Sequence, residues 1–321
     1  MIRSSTRSAG IAPASDALSV GCRLVTWSAW QPLAGLPALD ERVLAEILDG
    51  GQAFRWQLQS GGTRLGVWAD CVARVRLDAA RLLKWSAPEL IAPRVAAALP
   101  KYFATACDFA ALADTLPWRS DAHLPACLAE FRGLRLLRQP FGETVLGFLC
   151  SATKQIVQIK QMLALLATRH GREIAPGFHA LPTWPELAVI PEATLRTCLL
   201  GFRAKFIHQT AHFLTAHPGW LDETEALPYA TAKERLCSLP GVGEKIADCV
   251  LLFGAGKLEA FPVDVWILKA MARRYGLDSW PPAHVAQFGR AHFGPLAGFA
   301  QQFLFASERA AARGVLTSRA G

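Results

Sequence analysis

The residues best suited to chemistry are a lysine and an aspartate, Lys245 and Asp264. Lys245 follows Leu239-Pro240-Gly241-Val242-Gly243-Glu244, and Cys249 lies four residues further on along the same helical face. An amine attacks carbon only when unprotonated, about one molecule in 2,500 at neutral pH for a lysine of ordinary pKa. A helix N-terminus helps only a little, so a nucleophilic role would need desolvation as well. Taken alone, a lysine is ordinarily a solvated surface charge. Asp264 follows Phe261-Pro262-Val263 and precedes apolar residues at helical spacing, Val265, Ile267, Leu268, Met271 and Ala272. Its ordinary reading is a helix N-cap, and a cap would also hold the carboxylate in place for chemistry.

The elements around Lys245 are a helix ending, a tight hairpin and a second helix opening. Thr231–Ser238 holds good helix formers, and Pro240 blocks continuation because its ring lacks an N–H and clashes with the preceding turn. Gly241 and Gly243 allow positive φ and close approach to the backbone. Ile246, Ala247, Val250 and Leu251 then resume helical spacing. Such a turn presents backbone N–H groups at a helix N-terminus, a natural seat for phosphate. A Walker loop would need four residues between its glycines. A dinucleotide fingerprint would need a third small residue where Ile246 stands.

The chain has 321 residues, enough to bury a large core in two domains. Its formal charge of +8 and pI of about 9.3 favour an acidic partner such as nucleic acid. Residues 131–210 hold ten Lys/Arg against four Asp/Glu, a candidate DNA face or simply a solvated surface. The eight cysteines include no Cys-x-x-Cys pair, which argues against a zinc site or disulfide framework. Reduced thiols fit the cytoplasm, and the nucleoid in a bacterium. No apolar run is long enough to span a bilayer, and residues 1–21 read as a disordered extension.

From Cys22 to Leu99 the sequence favours short strands. Arg64–Leu77 alternates over much of its length, after a Ser60-Gly61-Gly62 turn. From Lys101 onward the spacing is helical, with proline-containing breaks. The expectation is an α+β protein. A β-rich N-terminal domain (22–125) precedes a larger helical domain (126–321).

Leu-Pro-Gly-Val-Gly with Lys245 and Asp264 resembles the glycosylases named for a helix-hairpin-helix, a Gly/Pro-rich loop and an aspartate. Gly51-Gln52-Ala53-Phe54-Arg55-Trp56, Arg135–Gln139, Phe148–Ser151 and Gly294-Pro295 through Phe305 are similar to segments of eukaryotic-type 8-oxoguanine DNA glycosylases. The resemblance runs from about residue 22 to 311. It implies a bifunctional DNA glycosylase and AP lyase that extrudes a damaged base and cuts its glycosidic bond. Lys245 becomes the nucleophile at C1′, and Asp264 the stabiliser of charge developing on the sugar. Cys249 and Phe305 sandwich the base, Gln301 pairs with its Watson–Crick edge, and the Gly51 carbonyl accepts from the N7–H of oxidised guanine. Gly241, Val242, Gly243, Thr153, Phe202 and Arg203 contact DNA, Phe202 as a wedge and Arg203 at the orphaned cytosine. Core packing is the ordinary role of Cys249 and Phe305, and a Phe-Arg pair is commonly core and surface.

No metal or cofactor is implied beyond a structural monovalent cation at the hairpin. The last cysteine, Cys249, precedes Asp264, so the cluster that some relatives carry after the aspartate has no ligands here. The implied partner is double-stranded DNA containing oxidised guanine, bound by a monomer away from membranes. Departures occur at Thr153-Lys154-Gln155, where relatives have an asparagine triplet, at Gln158, which replaces a second arginine, at Trp266, which replaces a histidine, and at Ala53 for serine. They point to a less strict preference for the opposite base. Two other readings stay open: a glycosylase for another damaged base, such as an alkylated purine, and a non-catalytic DNA binder.

Overall fold

The computed structural model describes residues 25–319, with side chains through residue 312; the expected extension at residues 1–21 lies outside the described residues. Five antiparallel strands, β1 (Gln31–Pro32), β2 (Trp56–Leu58), β3 (Arg64–Trp68), β4 (Cys71–Leu77) and β5 (Leu83–Ser86), form one sheet in the order β1-β5-β4-β3-β2. Along β3, buried residues alternate with half-buried ones, as a sheet with one face on the core requires. The alternating run Arg64–Leu77 is two strands rather than one, folded at Ala69-Asp70 with Ala69 at φ 42°. The Ser60-Gly61-Gly62 turn joins β2 to β3 as expected. Trp56 of β2 stacks on Trp68 of β3 at 5.8 Å and donates from its indole to the Tyr102 hydroxyl at 3.0 Å.

Helices enter earlier than the sequence suggests. Glu41–Asp49 is a helix capped by Asp40, whose carboxylate accepts from the Arg42 N–H at 2.8 Å. Its apolar stripe, Val43, Leu44, Ile47 and Leu48, is buried. A second helix, Ala92–Tyr102, precedes residue 101 almost entirely. Beyond it the described residues form helices and one small hairpin, Glu173–Ala175 with Phe178–His179. The helix Phe141–Leu149 is buried nearly all round and forms the centre of the helical part. The hairpin helix Glu244–Val250 packs on it.

Sheet and helices are stitched together by the Gly51–Trp56 segment. Gln52 is 2% exposed, and its amide donates to the Arg135 carbonyl and accepts from the Leu137 N–H, both at 3.0 Å. Gln139 returns the contact, donating to the Gln52 carbonyl at 2.6 Å. The side chain thus replaces a missing strand partner for residues 135–137. Replacing it by leucine keeps the volume but orphans a buried N–H and a buried carbonyl, at about 1–3 kcal/mol each. Gln52→Leu should therefore lower the unfolding free energy by at least about 2 kcal/mol in denaturant titrations. An unchanged midpoint would show that the junction does not depend on this residue.

Candidate active site

The hairpin closes with Leu239 N–H on the Leu236 carbonyl (3.0 Å) and Val242 N–H on the Leu239 carbonyl (3.1 Å). Val242 is buried and its N–H is used within the turn, so the N–H groups left to face a phosphate are those of the helix start after it. Gly241 sits at φ 78°, and a Cβ there would lie 2.7 Å from the Phe206 ring. Gly243 is extended, at φ −98° and ψ 176°, with nothing within 4 Å of a built Cβ. Only Gly241 needs glycine for its conformation; Gly243 keeps the approach open.

The hairpin helix is anchored by Asp248, which is 2% exposed. Its carboxylate accepts from the Tyr229 hydroxyl at 2.7 Å and from Lys233 at 3.1 Å, both on the helix before the hairpin. Burial raises the Asp248 pKa, and Lys233 pulls it back. Sequence reasoning missed this pair. Its only signal was a lysine and an acid placed on either side of the turn.

Lys245, three residues before Asp248 on the same helix, is half-buried. Its ammonium lies 3.5 Å from the Ser151 hydroxyl and 5.4 Å from the Phe148 ring centroid. Cys249, 4% exposed, has its thiol pushed up to about 12 by burial, with Lys245 close enough to oppose the shift. The thiol is therefore neutral. Asp264 caps the helix Val265–Tyr275, its Oδ1 accepting from Trp266 N–H (3.0 Å) and Ile267 N–H (2.9 Å). Burial raises its carboxyl above the usual range, while the N–H bonds and the charges of Lys245 and Arg309 oppose that. Both cap bonds fall on Oδ1, which leaves Oδ2 for the site.

The remaining expected residues form a connected chain around this pair. Gln301, 3% exposed, donates to the Pro262 carbonyl at 2.9 Å, two residues before Asp264, and accepts from Gln302 at 2.6 Å. Phe305 lies one turn on, half-buried, with the Arg309 guanidinium 5.1 Å from its ring centroid. Gly51, at φ 113°, would place a Cβ 3.9 Å from Phe305 and 3.3 Å from Ile156.

A second cluster sits beside the first. Arg203 is 2% exposed, and its guanidinium donates to the carbonyls of Ala152 and Leu200 and to the Thr153 hydroxyl. Reading a base would require exchanging some of these bonds. Thr153 is in the left-handed region at φ 54°. Phe202 is 52% exposed, as a wedge needs to be. The loop Ser151-Ala152-Thr153 thus touches Lys245 at one end and Arg203 at the other. Gln158 accepts from the Gln155 N–H at 3.2 Å, so its amide caps the helix Ile156–His170. A cavity of about 650 Å³ lies elsewhere: Cys107, Phe109, Trp118 and Arg135 line it, and none of the expected site residues does.

Comparison with known proteins places the chain among relatives. A family model for the N-terminal domain of 8-oxoguanine DNA glycosylase matches residues 38–145. The N-glycosylase/DNA lyase of Saccharomyces cerevisiae is 30% identical over 264 residues, 74% of this chain and 70% of that protein. The N-glycosylase/DNA lyase OGG1 of Arabidopsis thaliana is 33% identical over 215 residues, covering 62% of this chain and 59% of the relative's length. The Clostridium acetobutylicum 8-oxoguanine glycosylase/lyase, solved with double-stranded DNA containing cytosine opposite 8-oxoG, superposes with a TM-score of 0.78. It is 28% identical and covers 89% of this chain and 99% of that one. A buried hairpin helix carrying a lysine, an aspartate cap facing it and relatives matched along most of the chain converge on one conclusion: the protein belongs to the 8-oxoguanine DNA glycosylase family.

Proposed function

We propose that this protein is a bifunctional glycosylase and AP lyase that excises 8-oxoguanine from double-stranded DNA, acting as a monomer. The observation that carries the reading is the meeting of Lys245, Cys249 and Asp264, with Phe305 and the Gly50 carbonyl before Gly51 linked to them through Arg309. The damaged nucleotide leaves the stack and its base enters between the Cys249 and Phe305 side chains. The Lys245 amine attacks C1′ as the C1′–N9 bond breaks, and the base departs with a proton. Asp264, held by its cap bonds, stabilises the positive charge that develops on the sugar. The resulting cyclic N-glycosylamine opens as the C1′–O4′ bond breaks, the ring oxygen taking a proton to become the C4′ hydroxyl. The protonated imine so formed permits elimination of the 3′ phosphate.

Lys245→Gln should abolish release of 8-oxoguanine from an 8-oxoG:C duplex under single-turnover conditions, while changing duplex affinity only a few-fold. Continued release would move the nucleophile to another residue. Release of alkylated purines in preference to 8-oxoguanine by the unmodified protein would favour a different lesion.

The Asp264 shift has two signed consequences. Activity needs the carboxylate, so the acid limb of the single-turnover rate should lie above the ordinary carboxylate range near 3.9. Because its folded pKa is raised, this group's stability contribution is lost as pH rises through that pKa. Asp264→Asn retains a capping oxygen and carries no charge to bury. It should slow excision by orders of magnitude and match or exceed the parent's melting temperature at neutral pH. A marked drop in melting temperature with an unchanged rate per folded molecule would make the aspartate only a cap.

The basic stretch contributes fewer free charges than its sequence suggests. Arg135 and Arg203 are buried, while Arg138, Lys160, Arg172 and Arg196 sit in ion pairs with Glu225, Asp49, Asp70 and Glu192. Lys154 and Lys205 are exposed, with no ion pair recorded among the described residues, and they flank the Thr153 and Arg203 cluster. Each phosphate contact contributes a log–log salt slope near −0.9. Lys205→Ala should flatten the slope of lesion-duplex affinity by about one unit. An unchanged slope would place the DNA backbone elsewhere.

A further inference from the structure

One buried charge at the site is unused by the chemistry above. Arg309 is 7% exposed on the helix Ala297–Arg319, one turn beyond Phe305 and on the same face. Its Nη1 donates to two acceptors, the Gly50 carbonyl at 2.5 Å and Glu46 Oε1 at 2.8 Å. Its guanidinium carbon lies 5.1 Å from the centroid of the Phe305 ring.

The turn it grips has little freedom of its own. A Cβ at Gly50 would fall 2.1 Å from the Glu46 carbonyl oxygen, so only glycine fits. Gly51 follows in the left-handed region at φ 113°, next to Phe305. A Gly-Gly pair brings the largest backbone entropy loss on ordering. A buried, directional, charge-assisted bond to the first carbonyl is the contact that holds the second residue in one orientation.

An ion pair alone would not need this arrangement. A staple between the helix Glu41–Asp49 and the last helix could end at Glu46. The bond to Gly50 ties the same guanidinium to the turn, and the ring contact ties it to Phe305. The arginine also lowers the Asp264 carboxyl through space, which puts it within reach of the catalytic pair.

We propose that Arg309 is a positioning residue for recognition of oxidised guanine, fixing the Gly50-Gly51 turn beneath Phe305 so that the Gly51 carbonyl meets the N7–H of the extruded base. This rests on the 8-oxoguanine reading above. N7 of normal guanine is an unprotonated acceptor, so a carbonyl held rigidly there repels the wrong base. A loose carbonyl discriminates less, because it can move away from the lone pair. Arg309 therefore acts on selectivity through Gly51, and it need not touch DNA.

The test is binding by Lys245→Gln protein, which holds substrate without turnover, to three duplexes: 8-oxoG:C, G:C and a tetrahydrofuran abasic analogue opposite C. The analogue presents no base, so its affinity reports folding and backbone grip but not Gly51. Adding Arg309→Met should weaken 8-oxoG:C binding about tenfold or more while tetrahydrofuran:C binding stays within about twofold. Glu46→Gln removes the ion pair but leaves the Gly50 bond, and should keep the 8-oxoG preference. If Arg309→Met does not fold, Arg309→Lys carries the test. It retains charge near Glu46 but lacks the planar guanidinium that lies beside the Phe305 ring, and its loss should be partial and confined to 8-oxoG:C. Equal losses on both lesion duplexes, or no loss on either, would overturn the role of Arg309. A parent protein that does not prefer 8-oxoG:C over G:C would instead refute the substrate reading itself.

Discussion

The site depends on keeping a carboxylate where burial opposes its charge. Asp264 is half-buried, and desolvation raises its pKa; two backbone N–H bonds and the nearby cations Lys245 and Arg309 work against that shift. The two N–H groups are the otherwise unpaired donors of a helix start. One side chain therefore satisfies the helix and is held in a single rotamer by it. A carboxylate fixed in this way needs no reorganisation when positive charge develops nearby, which is the condition under which electrostatic stabilisation is strongest.

The same economy of parts recurs around it. The hairpin helix that carries Lys245 and Cys249 is locked by Asp248 to Tyr229 and Lys233 of the preceding helix. The Gly51–Trp56 segment leads from the Gly50-Gly51 turn into the sheet, and its Gln52 stitches sheet to helices. Arg309 reaches the front of that segment from the last helix, 259 residues away in sequence. The active site is thus assembled from the first and last thirds of the chain around the buried helix Phe141–Leu149. Base recognition cannot be separated from the packing of these parts.

What could be read from the sequence was local. The hairpin, its lysine, the aspartate cap and the helical spacing after each are signals confined to a dozen residues, and the structure has them. Long-range facts were not legible. The alternating run Arg64–Leu77 was continuous in pattern, because its turn uses Ala69 and Asp70 rather than glycine. The helix Glu41–Asp49 was hidden among strands, although Asp40 and the spacing of Val43, Leu44, Ile47 and Leu48 marked it. The basic stretch overstated its free charge because partners such as Asp49 and Asp70 lie outside it. Arg203, expected as a reader of the orphaned cytosine, is buried and braces the loop at Ala152 and Thr153. Arg309 gave no sign at all, since its meaning comes from a carbonyl at the other end of the chain.

The central claim is that Lys245 becomes covalently bonded to the sugar from which the base is cut. Its most direct test is to incubate the protein with an 8-oxoG:C duplex in borohydride, digest the product and locate the reduced cross-link by mass spectrometry. The account predicts one DNA adduct, on the peptide containing Lys245, formed only with lesion-bearing duplex. An adduct on another lysine, or base release with no adduct, would contradict it.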